Sequence, residues 1–266
     1  MSTPKALILR APGINCERET HHAFERAGAK SEYVHIKKLL AQPELLDSFQ
    51  ILSVPGGFSY GDDISSGRVL AQEMKAKLGD RILQFVDRGG LAFGICNGFQ
   101  VLVRLGLLPC LEDGLRESVT LTHNLSNHYE CRWVTLKTRK SRCVFLPDGL
   151  TVRWPAAHGE GRLMAHDGAA LQRLLDDGFA AAQYVGADGM PTERYPANPN
   201  GAPLGIAGLT NHNGRVLGVM PPPDRSYLPT HMPDWRRTQL DQGDLPEDGD
   251  GMVVFREMVK VASAES

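Results

Sequence analysis

The stretch "GLAFGICNGFQVLVRLG" (residues 90–106) decides the fold, because its hydrophobic pattern changes from one structural period to another within a few residues. Residues 90–95 form a short apolar run that is typical of a buried strand. Residues 98–106 place apolar side chains at helical spacing and end on Gly106, a residue that favours the end of a helix. Between the two runs lies Cys96. The stretch therefore predicts a strand, a tight turn and a helix.

The first hundred residues repeat this alternation. Strands are predicted at 5–10, 31–36, 49–54 and 90–95, and helices at 15–29, 68–78, 80–88 and 98–106. Strands that alternate with helices favour a parallel sheet with crossover helices. Ligands bind beyond the carboxyl ends of such strands, so the pattern points to the loops at 11–16, 55–67 and 95–98.

The second half of the chain indicates antiparallel strands. They are predicted at 118–124, 130–137, 151–162, 179–185, 203–211 and 214–220, with a hairpin turn at 211–214. An acidic linker at 241–250 and an amphipathic helix at 251–262 follow. We therefore expect one domain over 1–266: a three-layer α/β fold with a mostly parallel central sheet and an antiparallel extension.

Composition excludes several classes of protein. The 266 residues are 42% hydrophobic and 23% charged, and the net charge of −2 gives no reason to expect a nucleic acid or membrane partner. The apolar run near the N-terminus is too short for a secretory signal. Five cysteines at irregular spacings, without a CxxC pair, argue against a disulfide framework or a structural zinc site. We expect a cytoplasmic protein without a metal.

The G-x-C-x-G pattern around Cys96 has the form of a nucleophile elbow with cysteine in place of serine. Gly94 and Gly98 leave room for a strained turn, and the amino end of the following helix favours a thiolate. The backbone N–H of Asn97 would face a developing oxyanion. The alternative is that Cys96 is a small core residue beside a loop.

A second glycine-rich segment, "VPGGFSYGDDISSGR" (54–68), follows the third predicted strand. Its Pro-Gly-Gly turn allows the backbone to approach a ligand closely, and Gly57 can supply a second oxyanion donor. The segment lacks the spacing of a phosphate-binding P-loop. The alternative is a flexible connector.

Six segments in this order carry a specific resemblance: "APGINCERET", "VPGGFSYGDD", "GICNGFQVLVRLGLLP", "NLSNHYECRWV", "AHGEGR" and "GLTNHNGRVLGVMP". Together they resemble the glutamine amidotransferase subunits of phosphoribosylformylglycinamidine synthase in purine biosynthesis. These belong to the class I glutamine amidotransferases. The resemblance implies an open, flavodoxin-like α/β domain with a Cys-His-Glu triad.

The resemblance also implies roles for individual residues. Cys96 would attack the side-chain amide of glutamine and form a thioester, while Gly57 and Asn97 would offer oxyanion N–H groups. Gln100 and Asn124 would contact the bound glutamine. Ammonia would pass to a separate large synthetase subunit that binds ATP and Mg²⁺, with a small accessory subunit as a further partner. No cofactor is expected on this chain.

One segment departs from the family pattern. Where the family has Met-Pro-His-Pro-Glu-Arg, this chain reads "MPPPDR" (220–225), so Pro222 replaces the triad histidine and Asp224 the glutamate. Either His158 substitutes as the base, or the chain is an impaired glutaminase with a mainly structural role in the complex. A third reading is a free-standing cysteine hydrolase or an oxidation sensor.

Overall fold

The apolar runs of the first hundred residues form the parallel core of a nine-stranded sheet. The structure is a computed structural model that describes residues 3–111 and 114–264. Its parallel strands are β1 (Lys5–Arg10), β2 (Lys30–His35), β3 (Ile51–Val54) and β4 (Leu91–Ile95), in the order β2-β1-β3-β4. Every residue of β3 and β4 is buried, which explains why both strands are apolar apart from Ser53.

The antiparallel extension is attached to this core through one strand. The remaining strands are β5 (Val119–Thr122), β6 (Glu130–Thr138), β7 (Thr151–His158), β8 (Arg162–Ala165), β9 (Ala180–Tyr184), β10 (Ile206–Thr210) and β11 (Val216–Val219). β11 pairs in parallel with β4 and antiparallel with β10, and the sheet continues through β9 and β6 to β7. β5 and β8 form a separate two-stranded sheet.

Helices cover both faces of the large sheet. The helices are α1 (Glu17–Ala27), α2 (Ile36–Ala41), α3 (Arg68–Asp87), α4 (Asn97–Leu105), α5 (Gly168–Asp176), α6 (Trp235–Gln242) and α7 (Met252–Ala264). Apolar residues of α2, α3, α4 and α5 belong to one core cluster, and those of α1 and α7 to a second. Two separate cores, one on each face, confirm the three-layer α/β fold.

The observed elements differ from the predicted ones at the following points. α3 is a single helix, because Gly79 is buried against Leu115 within it and does not end it. The run at 151–162 is two strands, β7 and β8, separated by Gly159–Gly161. β11 is parallel to β4 and is therefore not wholly part of the antiparallel half. α6 occupies the first two residues of the predicted linker.

No helix in residues 3–111 and 114–264 combines the length and the apolar character that crossing a bilayer requires.

We predict that Gly98→Ala destabilises the fold by about 3 kcal/mol or more, because an added Cβ would lie 1.8 Å from the carbonyl oxygen of Val54. Urea unfolding measures the effect. Gly168→Ala is the control, since that position has open space around it and begins α5; its free energy of unfolding should change by less than about 1 kcal/mol. Equal stability of the two variants would contradict the prediction.

Candidate active site

β4 runs directly into α4 at Cys96, as the sequence pattern predicts. The backbone of Cys96 has φ 51° and ψ −105°, a strained conformation for a residue with a side chain. Its N–H donates to the carbonyl oxygen of Val219 at 2.8 Å, which ties the turn to β11. Cβ atoms added at Gly94 or Gly98 would collide with backbone, so the turn requires both glycines. The geometry is that of a nucleophile elbow.

Cys96 opens onto a cavity at the carboxyl edge of the parallel strands. All three loops indicated by the sequence contribute to its wall: 11–16, 55–67 and 95–98. The lining residues are Asn15, Cys16, Gly56, Gly57, Phe58, Cys96, Tyr129, Ala157, Pro222 and Arg225. The free space is about 20 Å³, room for about one water molecule. The rings of Phe58 and Tyr129, with centroids 6.3 Å apart, are both half-exposed beside it.

The loop that carries Gly57 is fixed to the elbow by Asn97. The side-chain oxygen of Asn97 accepts the Ser59 N–H at 3.0 Å, and its amide donates to Asp62 Oδ1 at 3.2 Å. Gly57 lies at φ 139° and forms a bridge with Ile14. The hydrogen bonds on either side of that bridge are donated by the N–H groups of neighbouring residues, and the Gly57 N–H takes part in none of them. Gly57 lines the same cavity as Cys96, and its N–H is not used by these backbone hydrogen bonds.

Burial raises the pKa of the Cys96 thiol to about 12, with the neighbouring Cys16 adding to the rise. Arg225 and the Asn97 N–H act in the opposite direction. The amino end of α4, which the sequence predicts to favour a thiolate, is thus opposed by burial, the largest influence on this pKa. The thiol also contacts the Ala157 carbonyl oxygen at 3.6 Å. Deprotonation of Cys96 needs a proton acceptor or a change in its surroundings.

The segment after β11 forms the opposite wall. Pro222 lines the cavity at the position where the family has its histidine, and it offers no proton acceptor there. Arg225 also lines the cavity, and its Nη2 donates to Cys16 Sγ at 3.0 Å. Asp224 is fully buried behind this wall and does not line the cavity. The structure therefore places the carboxylate near Cys96 but not in contact with the space a substrate would enter.

Asp224 contacts Thr20 in a way that constrains its protonation. The Thr20 hydroxyl lies 2.6 Å from Asp224 Oδ2 and 2.9 Å from the carbonyl oxygen of Cys16. A hydroxyl has one proton, so it can donate to only one of these oxygens. A proton on Asp224 satisfies both contacts. Burial raises the pKa of Asp224 to about 6, and its Oδ1 has no hydrogen-bond partner.

Gln100 and Asn124, which the family resemblance predicts to contact glutamine, lie outside the present lining of the cavity, and their contact with glutamine stays a prediction. Both are buried, and neither lines the cavity. The Gln100 amide accepts from Asn97 at 2.9 Å and donates to the Glu160 carbonyl oxygen. Asn124 donates to the carbonyl oxygens of His128 and His158, and its own oxygen accepts the Gly161 N–H at 3.1 Å. The hydrogen bonds of these two amides fix the loops around the site.

His158 also lies away from the cavity. It follows Ala157 on β7, and successive side chains on a strand point to opposite faces. Ala157 faces the cavity, so His158 faces away from it. The His158 Nδ1 is 3.1 Å from Asn124 Oδ1, and burial lowers its pKa to about 4. The structure does not support His158 as the substitute base.

Among the wall residues to which the sequence assigned no role are Cys16, Tyr129 and Arg225. Cys16 and Arg225 lie in segments that the family resemblance covers, and Tyr129 lies within "NLSNHYECRWV". The position of Cys16 in the loop at 11–16 was the available signal, because that loop follows a parallel strand. Within the described ranges, no three His, Cys, Asp or Glu side chains converge in a group that could hold a metal ion.

Comparison with known proteins identifies the family. Residues 3–261 match the model of the CobB/CobQ-like glutamine amidotransferase domain. The chain belongs to this family. It is 44% identical over 264 residues to phosphoribosylformylglycinamidine synthase subunit PurQ of Dehalococcoides mccartyi, which covers 98% of this chain and 99% of that relative. Identity to the PurQ subunit of Methanococcus maripaludis is 43% over 236 residues, 88% of this chain and 86% of the relative.

A solved structure agrees with the fold. A chain in the PurLQS structure from Thermotoga maritima superposes with a TM-score of 0.70 at 30% identity, covering 97% of this chain and 99% of that one. The α/β architecture with a parallel core and an antiparallel extension is thus shared with a chain of the PurLQS structure.

We predict that Asp224→Asn changes how stability depends on pH. The pKa of Asp224 is raised in the folded state, so its stabilising neutral form is fully present below about pH 4 and is lost as the pH rises through about 6. Asparagine does not titrate. The free energy of unfolding of the variant, relative to the wild type, should therefore rise by about 3 kcal/mol between acidic and neutral pH.

Urea unfolding at several pH values measures this difference. Asp241→Asn is the control, because Asp241 is exposed and its replacement should leave the pH profile unchanged. A difference for Asp224→Asn that stays flat with pH would show that folding does not shift the pKa of this carboxyl group, which would contradict the prediction.

Proposed function

We propose that this chain is the glutaminase subunit of phosphoribosylformylglycinamidine synthase and that Cys96 is its nucleophile. The observation that carries the proposal is the placement of Cys96: a strained residue between β4 and α4, facing a cavity that it shares with Gly57. The high identity to PurQ subunits over nearly the whole chain supports the same function.

The chemistry begins when the Cys96 sulfur attacks the side-chain amide carbon of glutamine. The carbonyl oxygen becomes an oxyanion that the N–H groups of Gly57 and Asn97 stabilise. The C–N bond breaks, a proton goes to the nitrogen, and ammonia leaves. Water then hydrolyses the glutamyl thioester, which releases glutamate and restores the thiol.

Glutamine binding requires the cavity to widen. Its present free space of about 20 Å³ is smaller than a carboxamide group with its carbon chain needs. The exposed members of its wall are Asn15, Phe58, Tyr129 and Arg225, so these side chains are the ones that move most easily. Opening would also admit water to Cys96 and lower the cost of ionising its thiol.

We propose that the ammonia passes to a large synthetase subunit and that the complex works in the cytoplasm. ATP and Mg²⁺ would bind to that synthetase, and this chain would carry no cofactor. A small accessory subunit would complete the assembly. The name of the PurLQS structure, in which a similar chain occurs, supports a multi-subunit complex.

A second candidate function is an impaired glutaminase that mainly stabilises its complex. Pro222 favours it, because the residue at this point of the cavity wall cannot accept the proton of Cys96. Asp224 is buried behind the wall and offers no direct replacement. General base catalysis typically contributes about 10²–10⁴ in rate, so a chain without it would turn over slowly.

Replacing Cys96 tests the nucleophile. Cys96→Ala should abolish glutamine hydrolysis and thioester trapping, because no other side chain stands at the elbow. Glutaminase assays with the chain alone and with its synthetase measure the loss. Cys131→Ala is the matched control, since that thiol is exposed and does not line the cavity; its activity should stay within about twofold. Unchanged turnover by Cys96→Ala would exclude this mechanism.

Restoring the histidine and the glutamate of the family pattern tests whether their replacement impairs glutaminase activity. The double variant Pro222→His with Asp224→Glu should raise glutaminase activity by about tenfold or more, because it returns an imidazole to the cavity wall and a longer acid to orient it. The single variant Asp224→Glu is the control and should show no gain, since it supplies no base. Equal activities of the double variant and the wild type would mean that another group already accepts the proton.

A further inference from the structure

Two thiols face the same cavity. Cys16 and Cys96 both line it, and Gly56 lies between them. A Cβ placed on Gly56 would be 3.5 Å from Cys96 Cβ and 3.6 Å from Cys16 Sγ. The backbone at Gly56 is therefore in contact range of both cysteines, and the absence of a side chain there leaves the space between them open.

Cys16 is fixed in this position from two sides. Its N–H donates to the Gly56 carbonyl oxygen at 3.3 Å, which anchors its backbone to the loop beside Cys96. The Arg225 guanidinium donates to its sulfur at 3.0 Å. A positive donor on a thiol favours the thiolate, the form that reacts with oxidants. The glutaminase mechanism assigns no task to this second thiol.

We propose that Cys16 and Cys96 are an oxidant-sensitive pair that forms a disulfide when the chain meets a peroxide. One thiol loses its proton, and the thiolate attacks a peroxide oxygen. The O–O bond breaks to give a sulfenic acid and hydroxide, and the hydroxide takes up the released proton to become water. The second thiol attacks the sulfenic sulfur and displaces water. In total, two thiols are oxidised to one disulfide and one hydrogen peroxide is reduced to two waters.

The disulfide has a consequence for the enzyme. It occupies the Cys96 sulfur, so thioester formation stops until a thiol reductant restores it. It also prevents further oxidation of Cys96 to a sulfinic acid, which thiol reductants do not reverse. This consequence rests on the proposed function, whereas formation of the disulfide does not.

Peptide mapping under non-reducing conditions tests the pair. The full chain is exposed to millimolar hydrogen peroxide for hours at about pH 8.5, because burial raises the pKa of both thiols to about 12 and makes them react slowly. We expect a linked peptide that joins Cys16 to Cys96 and disappears with dithiothreitol. Oxidation of Cys96 without this link, or its linkage to Cys131, would overturn the proposal.

Two variants sharpen the test. Cys131→Ser removes an exposed competing thiol on β6 and should leave the linked peptide unchanged. Cys16→Ser should divert Cys96 to sulfinic acid, so that dithiothreitol no longer restores its thiol. Recovery of the Cys96 thiol in Cys16→Ser to the wild-type extent would contradict the proposal. These readouts are masses of peptides, so they remain decisive even if the chain proves to hydrolyse no glutamine.

Discussion

The site depends on one contact between backbones: the first turn of α4 lies against the end of β3, with Gly98 touching the Val54 carbonyl oxygen. No side chain fits between them. This contact places the strained Cys96 beside the Pro-Gly-Gly loop and so brings a nucleophile and two candidate N–H donors to one cavity. Because a side chain at position 98 would collide with the Val54 carbonyl oxygen, the elbow can form here only with glycine at that position.

Enclosure of the cavity has opposing effects on its chemistry. Low polarity strengthens the interaction of N–H donors with an oxyanion, which favours the step after attack. The same enclosure disfavours the thiolate that must attack, as the raised pKa of Cys96 shows. A histidine in the wall would resolve this conflict by accepting the proton. Because Pro222 occupies this position, ionisation of the Cys96 thiol depends on the Arg225 charge, the Asn97 N–H and the water that enters when the cavity opens.

Local sequence signals predicted the elbow, the three loops and the parallel core, because each rests on short-range periodicity and on the geometry of parallel strands. Where the side chains of His158, Gln100 and Asn124 lie relative to the cavity could not be predicted in the same way. Whether His158 or Ala157 faces the cavity depends on where β7 begins and on which face of it packs. That choice is made by tertiary contacts. The place of Cys16 in the cavity wall could not be predicted for the same reason, since its neighbours there come from distant parts of the chain.

The contact between Thr20 and Asp224 joins residues that are 204 positions apart. Ribosomes add about 5–20 residues per second, so roughly 10–40 s pass between the synthesis of the two ends of this hydrogen bond. Throughout that interval the Pro222–Arg225 wall does not exist. The cavity can therefore be completed only after Arg225 has been made, and no fragment that ends before Pro222 contains the whole wall.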